Sequence, residues 1–269
     1  MIKIENTEVM GWEAAIRGMR NPKNSWAKSD SGWDAHIPPL GLRNQVDWEQ
    51  WAENYKTVQY SDEYSYDIGP NDLGLMTRLR NAGTDHRKFM RMIAVYVDIT
   101  APLYWWKEFD TYKVGTVADS CSTMHKIADK EFTLEDFSCE HLFGRDTDYS
   151  DTFDLFNSDG VNSECCPTEF MKIACGILNF YRERYLETKD KKYWWQMIQL
   201  LPSSYNQRRT IMLNYEVLAN IYKSRRNHKL DEWHAFCDWV KTLPCSELIT
   251  GAVLGVDLAH GPDTTGEQK

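Results

Sequence analysis

The chain has 269 residues, a net charge of −9 at pH 7, 42% hydrophobic side chains and 26% charged side chains. This length can bury a substantial core, and the acidic balance argues against broad binding to nucleic acid or to a membrane surface. The seven cysteines include no Cys-x-x-Cys pair, and no apolar run is long enough to span a membrane. We therefore expect a reduced, cytoplasmic protein that holds no metal.

The first third of the chain predicts a strand, a helix and an aromatic covering segment. Ile2 to Val9 alternates weakly, which is typical of a short edge strand. Trp12 to Met19 has apolar residues at helical spacing, and Asn21-Pro22 should end that helix. Residues 23–70 are rich in Trp and Tyr, so we expect an ordered segment with a short helix around Trp48–Tyr55.

The next elements are predicted as helices. Gly69-Pro70 should begin one helix, and Gly83 should end it. Thr84 or Asp85 should cap another, with Phe89, Met92, Ile93 and Tyr96 on one face. Ala101-Pro102 should then bend the chain.

The second half is also predicted to be mostly helical. Pro167 can open a helix whose apolar positions are Phe170, Ile173, Ile177 and Phe180. Three more helical stripes follow, at Trp194–Leu201, Tyr205–Arg226 and Leu230–Leu243. We expect one domain over residues 1–260 and a disordered tail at residues 261–269, because the tail is small and polar.

Charge is distributed unevenly along the chain. Residues 131–169 contain eleven acidic side chains and one basic, whereas residues 191–229 contain eight basic and one acidic. The acidic run is typical of a solvated surface segment. The basic run suits either a phosphate-bearing ligand or the acidic surface of another subunit, and both interpretations stay open.

Polar and aromatic side chains concentrate in four segments. In chain order these are Asp85-His86, Trp105–Thr111, Asp119–Met124 and Arg225-Arg226. Their order resembles that of the flavin-dependent thymidylate synthase family. Asp119–Met124 is similar to the family's Asn-Glu-x-Ser-x-Arg stretch, and Trp105–Thr111 lies on the approach to its Arg-His-Arg-x-x-Ser loop. The resemblance runs from Ile2 to Pro244 and rests on spacing and helix order.

The resemblance implies an α/β (α+β) fold with a small mixed sheet and several long helices. It also implies FAD, a folate and one-carbon transfer to deoxyuridylate in a homotetramer. By the same resemblance Ser122 is the candidate catalytic residue, and His86 and Lys113 are candidates for cofactor binding. Candidates for nucleotide or phosphate binding are Ser120, Ser122, Arg225 and Arg226.

The chain also departs from the family pattern. The Arg-His-Arg triplet is missing, and the matching stretch, Phe109–Val114, offers one cation, Lys113. Met124 stands in place of the arginine of Ser-x-Arg, and Asp119-Ser120 in place of Asn-Glu. Two further hypotheses therefore stand beside the enzyme. One is a nucleotide-binding or sequestering protein, for example of viral origin, without flavin chemistry. The other is a structural oligomer with a vestigial pocket.

Most of the candidate residues also have a purely structural explanation. Ser122 can cap a helix that runs through His125, and His86 can be a surface residue in a first helical turn. Positive charge at Arg225 and Arg226 is favourable at a helix C-terminus without any ligand. Arg208-Arg209 can face either a phosphate or an acidic neighbour. Cys121 and His125, four residues apart, lack the further clustered ligands that a metal needs.

Overall fold

The computed structural model describes residues 2–33, 56–59, 65–146, 152–156 and 162–251. They form an α+β structure, which confirms the predicted class. Among these residues, no helix combines the length and apolar character needed to cross a membrane. The predicted helix around Trp48–Tyr55 and the predicted tail at residues 261–269 lie outside the described residues.

The chain divides into two compact units that alternate along the sequence. The first comprises the chain up to Thr7, Tyr96–Met212 and Lys229–Phe236, and the second comprises the remainder. The single domain over residues 1–260 stays a prediction. In chain order the elements are β1 (Lys3–Met10), α1 (Trp12–Arg20), β2 (Gly32–Trp33), β3 (Lys56–Gln59), β4 (Ser65–Ile68), α2 (Pro70–Asn81), β5 (Ala94–Pro102), α3 (Leu103–Phe109), β6 (Val117–Ser120), α4 (Thr123–Lys126), β7 (Phe153–Phe156), β8 (Asn162–Cys165), α5 (Pro167–Thr188), α6 (Lys191–Leu200), β9 (Asn206–Asn214), α7 (Tyr215–Arg225), α8 (Asp231–Lys241) and α9 (Glu247–Thr250).

The main sheet has the strand order β1-β5-β9-β6. Strand β1 lies at one edge, which confirms the predicted edge strand, and β6 lies at the other. Strands β6 and β9 are antiparallel, with Ala118 opposite Ile211 and Ser120 opposite Arg209. Smaller antiparallel sheets have the order β2-β4-β3 and the pair β7-β8.

An aromatic cluster packs α3 in the first unit. The rings of Trp105 and Trp233 have centroids 4.7 Å apart, and those of Trp105 and Phe109 are stacked at 5.2 Å. Trp233 Nε1 donates a hydrogen bond to Glu108 Oε2 at 2.9 Å, so this buried indole keeps a polar partner. Large buried aromatic rings stabilise a core through both area and edge-to-face contact, and here they fix α3.

A second cluster in the first unit buries one face of α5. Its inward residues are Met171, Cys175 and Leu178, which pack with Met197 of α6 and with Phe132. The helix predicted from Pro167 is confirmed, as are the helices at residues 12–19, 70–83, 194–201 and 230–243 with small shifts of their ends. The four apolar residues that predicted α5, however, lie on its exposed side.

Two predicted helices are wrong in part. Residues 84–86 form a turn, Lys88–Met92 is a 3-10 turn, and the chain then enters β5. In β5 the alternate residues Val97, Ile99 and Ala101 are buried, so the strand period outweighs the helical spacing at residues 89–96. Likewise the predicted helix over residues 205–226 is strand β9 first and helix α7 afterwards, because Ile211 and Leu213 bury alternately in the sheet.

The second unit contains a buried ion pair. Arg20 at the end of α1 donates from Nε to Asp72 Oδ1 at 2.6 Å, and both side chains are at most 3% exposed. Asp72 Oδ2 also accepts hydrogen bonds from the hydroxyls of Ser29 and Ser31, at 2.6 and 2.8 Å. The Asp30 carboxylate in turn accepts a hydrogen bond from the Asp72 amide at 3.0 Å. Together these bonds hold residues 29–31 against the first turn of α2.

Substitution of Asp72→Ala should lower the free energy of unfolding by about 3–5 kcal/mol, because it leaves the Arg20 guanidinium buried without a counter-charge. The matched control is Glu13→Ala. Glu13 pairs with Arg17 on the same helix, but both side chains are more than half exposed. That control should change the unfolding free energy by less than about 1 kcal/mol. Urea denaturation measures both, and equal losses would contradict a structural role for the buried pair.

The same ion pair should make the free energy of unfolding fall at acidic pH. Burial would raise the pKa of Asp72, but hydrogen bonds from Ser29, Ser31 and Arg20 outweigh it and hold the pKa below its ordinary value. The carboxylate therefore contributes its stability above the unfolded-state pKa of about 4, and that contribution is lost as the pH falls further.

Candidate functional site

The segment from Ser120 to Met124, called here the Ser120–Met124 loop, runs from the last residue of β6 into the first turn of the short helix α4. Its first residue still belongs to the sheet, and the Cys121 amide continues the pairing by donating to the Arg208 carbonyl at 3.0 Å. The Ser122 hydroxyl oxygen accepts from the His125 amide at 3.2 Å, so Ser122 caps α4 as its structural explanation predicts. The side chains of Ser120, Cys121 and Ser122 are exposed.

A cleft of about 410 Å³ opens over this loop. Its opposite wall is aliphatic, with Leu103 from the beginning of α3 and Ile198 and Leu201 from the end of α6. A smaller pocket of about 80 Å³ adjoins the cleft, shares residues 121–123 with it and adds Lys126 and Arg208. The two together offer an apolar surface, several hydroxyls and two cationic side chains.

Gln207 holds the loop in place. This β9 side chain donates from Nε2 to the Cys121 carbonyl oxygen at 3.0 Å and to Thr123 Oγ1 at 3.1 Å. Its own Oε1 accepts from Arg209 Nε at 3.0 Å. Because one amide contacts both ends of a three-residue segment, the loop conformation depends on Gln207 and on whatever orients it.

Arg209 orients Gln207 and is itself fixed on two further sides. Its Nη1 donates to Asp110 Oδ1 at 2.8 Å, and its guanidinium carbon lies 4.2 Å from the ring centroid of Trp106. Trp106 Nε1 in turn donates to the Gln207 carbonyl oxygen at 2.9 Å. Planar stacking on an indole together with directional hydrogen bonds is an arrangement that arginine makes and lysine does not. Trp106 of the aromatic cluster is thus connected to the loop through Arg209 and Gln207.

Helix α6 fixes the far end of the loop. Trp194 Nε1 donates to the Met124 carbonyl oxygen at 3.0 Å. Side chains from outside the segment therefore hold its backbone at Cys121 and Met124, so the backbone that carries the exposed hydroxyls has a fixed course.

Both cations beside the cleft have acidic partners. Lys126 Nζ donates a hydrogen bond to Asp129 Oδ2 at 2.8 Å, and this bond to the carboxylate raises the pKa of Lys126. Arg208 Nη2 lies 2.6 Å from Asp98 Oδ2. Asp98 also accepts from Thr210 at 2.6 Å and from Asn6 at 2.8 Å. The bonds from Thr210, Asn6 and Arg208 hold the pKa of Asp98 well below its ordinary value.

Arg208 and Arg209 thus face acidic neighbours within the chain, one of the two interpretations that the sequence left open. They lie in a strand and point to different partners, Asp98 and Asp110. The prediction that they begin a long helix is wrong.

The other predicted site residues divide between the two units. Ser120 and Ser122 meet at the cleft, whereas Lys113 of the same unit is exposed in the turn after α3. His86 belongs to the second unit, is exposed in a turn and opens no helix. Two further residues of the second unit, Arg225 and Arg226, lie at the C-terminal end of α7. The roles assigned to these residues stay predictions.

Four residues of the cleft escaped the sequence-based prediction: Leu103, Ile198, Leu201 and Gln207. In the sequence, Leu103, Ile198 and Leu201 are indistinguishable from ordinary core residues of helices. Gln207 could be recognised as a site residue only from the structure, because the register of β6 with β9 places residues 208 and 209 beside the loop.

The hydrogen-bond donors of Phe109–Val114, the stretch that resembles the family's Arg-His-Arg-x-x-Ser loop, do not suit the diphosphate of a flavin. The stretch Phe109–Val114 carries one cation, Lys113, and the buried Phe109 ring belongs to the aromatic cluster. Within the described residues, no group of three His, Cys, Asp or Glu side chains could hold a metal ion.

The sequence matches no protein-family model and no curated protein. Its structure does match solved ones. Thymidylate synthase X from Helicobacter pylori with FAD and dUMP aligns at a TM-score of 0.55 and 13% identity, over 93% of this chain and 97% of that one. A second structure, of the flavin-dependent thymidylate synthase from the same organism complexed with FAD and dUMP, aligns at 0.55 and 14% identity, over 92% and 97%.

A methylase shares the same fold. The UMP/dUMP methylase PolB from Streptomyces cacaoi bound with 5-Br UMP aligns at a TM-score of 0.51 and 12% identity, over 93% of this chain and 94% of that one. The chain therefore has the fold of the flavin-dependent thymidylate synthases, as its sequence predicts. At identities of 12–14%, the similarity to these structures shows a shared fold and nothing about activity.

Substitution of Arg209→Met should destabilise the chain by about 1–3 kcal/mol, because it removes hydrogen bonds to Gln207 and Asp110 together with the stacking on Trp106. The neighbouring Arg208→Met is the matched control. Arg208 is nearly half exposed, and Asp98 keeps Thr210 and Asn6 as donors, so its loss should cost at most about 1 kcal/mol.

Urea denaturation gives the two stabilities, and amide hydrogen exchange reports the loop. Exchange at residues 121–125 should accelerate in Arg209→Met and not in Arg208→Met. Equal effects of the two substitutions on that segment would show that the loop does not depend on Arg209.

Proposed function

We propose that this chain binds a pyrimidine nucleotide in the cleft over the Ser120–Met124 loop. The observation that carries the proposal is the pairing of an aliphatic wall with a fixed, hydroxyl-rich loop in one cleft of about 410 Å³. Small-molecule sites are mostly apolar with a few convergent polar groups, and a pyrimidine ring offers flat apolar faces to such a wall. That structures of this fold bind dUMP or 5-Br UMP supports the nucleotide class.

In this proposal the phosphate faces the adjoining small pocket. Ser120 and Ser122 supply hydroxyl donors, and Lys126 and Arg208 supply positive charge. A guanidinium has five N–H donors, and the bond from Arg208 to Asp98 uses one of its nitrogens. Since both cations already serve carboxylates, part of the attraction for a phosphate is offset, and we expect modest affinity.

Flavin-dependent one-carbon transfer to deoxyuridylate is the second candidate. The FAD in both Helicobacter pylori structures favours it. In that case Ser122 would be catalytic, His86 and Lys113 would contact the cofactor, and the chain would act as a homotetramer in the cytoplasm. The single cation in Phe109–Val114 weighs against it, so we place binding without flavin chemistry first.

Added dUMP or UMP should raise the melting temperature of the purified full chain, because a ligand of the native state stabilises it by RT ln(1 + [L]/Kd). Ser120→Ala combined with Arg208→Met should weaken binding at least about tenfold, equivalent to ~1.4 kcal/mol. Ser120 is preferable to Ser122 because Ser122 also caps α4. Thermal shift and calorimetric titration provide the measurement.

The matched control is Arg225→Ala with Arg226→Ala. It should leave nucleotide binding unchanged if the phosphate lies at the loop, whereas loss of binding there would move the site to the end of α7. A melting temperature unaffected by either nucleotide at millimolar concentration would contradict nucleotide binding and favour a vestigial pocket. A flavin absorption spectrum that survives gel filtration after FAD is added would place the second candidate first.

A further inference from the structure

A separate pocket lies in the second unit, between α1 and the segment that follows it. Its volume is about 260 Å³, and every described residue that lines it belongs to the second unit. Pockets for drug-sized ligands span about 300–1,000 Å³, so this one suits a smaller, metabolite-sized molecule. Among the described residues it shares none with the cleft over the Ser120–Met124 loop, so nucleotide binding in that cleft does not account for it. We call it the α1 pocket.

Three residues that line the α1 pocket are apolar or aromatic. Ile16 of α1 and Tyr66 of β4 are each 3% exposed, whereas Trp26 is 49% exposed. Trp26 Nε1 donates a hydrogen bond to Asn21 Oδ1 at 2.8 Å, which holds the ring in one orientation. A half-exposed indole that is held in place offers a flat apolar surface to a ligand.

The hydroxyls of Ser29 and Ser31 offer hydrogen-bond acceptors to the α1 pocket. Both residues line the pocket, and both donate to Asp72 Oδ2, at 2.6 and 2.8 Å. A hydroxyl has one proton and an ionised carboxylate can only accept, so these protons are committed to Asp72. The Gly69 amide takes one acceptor position of Ser31, at 2.9 Å. The positions that remain on the two oxygens can only accept, so a bound molecule must bring N–H or O–H donors.

The charges around the α1 pocket cancel. Arg20 lines the pocket and is paired with the buried Asp72. Glu13 and Arg17 also line it, with the carboxylate 3.4 Å from the guanidinium and both side chains more than half exposed. An exposed pair of this kind is weak, so each partner can exchange the other for a ligand group. A molecule that carries both charges finds a partner for each, whereas a single ion meets one attraction and one repulsion.

An α-amino acid with an apolar side chain combines these requirements. Its ammonium group has three N–H donors and no acceptor, and its carboxylate is a group that a guanidinium binds with two hydrogen bonds. We propose that the α1 pocket binds such an amino acid in its free form. The ammonium group faces Ser29 and Ser31, the carboxylate faces Arg17, and the side chain lies against Trp26. A neutral sugar also brings O–H donors, but it leaves Glu13 and Arg17 without a charged ligand group.

The melting temperature of the full chain tests the class of ligand. L-phenylalanine, L-leucine and L-tryptophan are added separately at millimolar concentration, and at least one should raise it, because a ligand of the native state stabilises that state. N-acetylation replaces the ammonium group with an amide that has one N–H. The acetylated amino acid should therefore bind at least about tenfold more weakly in calorimetric titration.

Three outcomes of these titrations would overturn the proposal. The first is an unchanged melting temperature with all three amino acids. The second is equal binding of an amino acid and its N-acetyl form, because the ammonium group would then make no contact. The third is a shift with glucose and none with the amino acids, which would assign the pocket to sugars.

Substitution of Arg17→Met tests the orientation of the ligand. It should weaken binding of the amino acid at least about tenfold, because the carboxylate loses its guanidinium partner. The carboxamide of the same amino acid has no carboxylate, so it should bind the unmodified chain and Arg17→Met equally. Calorimetric titration measures both ligands.

The matched control is Arg91→Met. Arg91 is an exposed arginine of the same unit and is not among the described residues that line the pocket. This change should alter neither affinity, and circular dichroism verifies that both variants fold. Equal losses for the amino acid and its carboxamide in Arg17→Met, or an equal loss of amino-acid binding in Arg91→Met, would overturn the proposed contact.

Discussion

The stacking of Arg209 on Trp106 is the contact on which the candidate site depends. The guanidinium lies 4.2 Å from the ring centroid, is tied to Asp110 and orients Gln207. Gln207 then holds the loop that carries Ser120 and Ser122. The bonds from Arg209 to Asp110 and Gln207 and from Gln207 to Thr123 are directional and partly buried, so removing one leaves its partner unsatisfied. The loop owes its conformation to an aromatic core more than to its own sequence.

This arrangement also explains how the chain keeps the fold while departing from the family's motif. Arg209, next to the loop in β9, serves the protein's own structure by pairing with Asp110 and orienting Gln207. Ser122 caps α4 with its hydroxyl oxygen, yet that hydroxyl can still donate its proton outward. The loop therefore presents its hydroxyl groups on a backbone that Gln207 and Trp194 hold in place.

Sequence patterns predicted most helices, because caps, prolines and 3.6-residue spacing are local signals. They failed at residues 84–96 and 205–214, where apolar spacing fits a helix but pairing within the sheet decides for strands. The serines of the site followed from the family resemblance. Gln207 could not be found, because its role depends on the register of β6 with β9. The α5 helix was predicted from residues that lie on its exposed side, since periodicity does not tell which of two apolar faces is buried.

Hydrogen exchange of the full chain with and without saturating dUMP tests the location of the nucleotide site most directly. Binding in the cleft should slow amide exchange in the peptide that spans residues 117–126, with little change in a peptide from residues 215–228. Amides at a ligand site exchange more slowly when the ligand stabilises the closed state. Protection confined to residues 215–228, or absent from both peptides under conditions where dUMP is bound, would contradict a nucleotide site at the Ser120–Met124 loop.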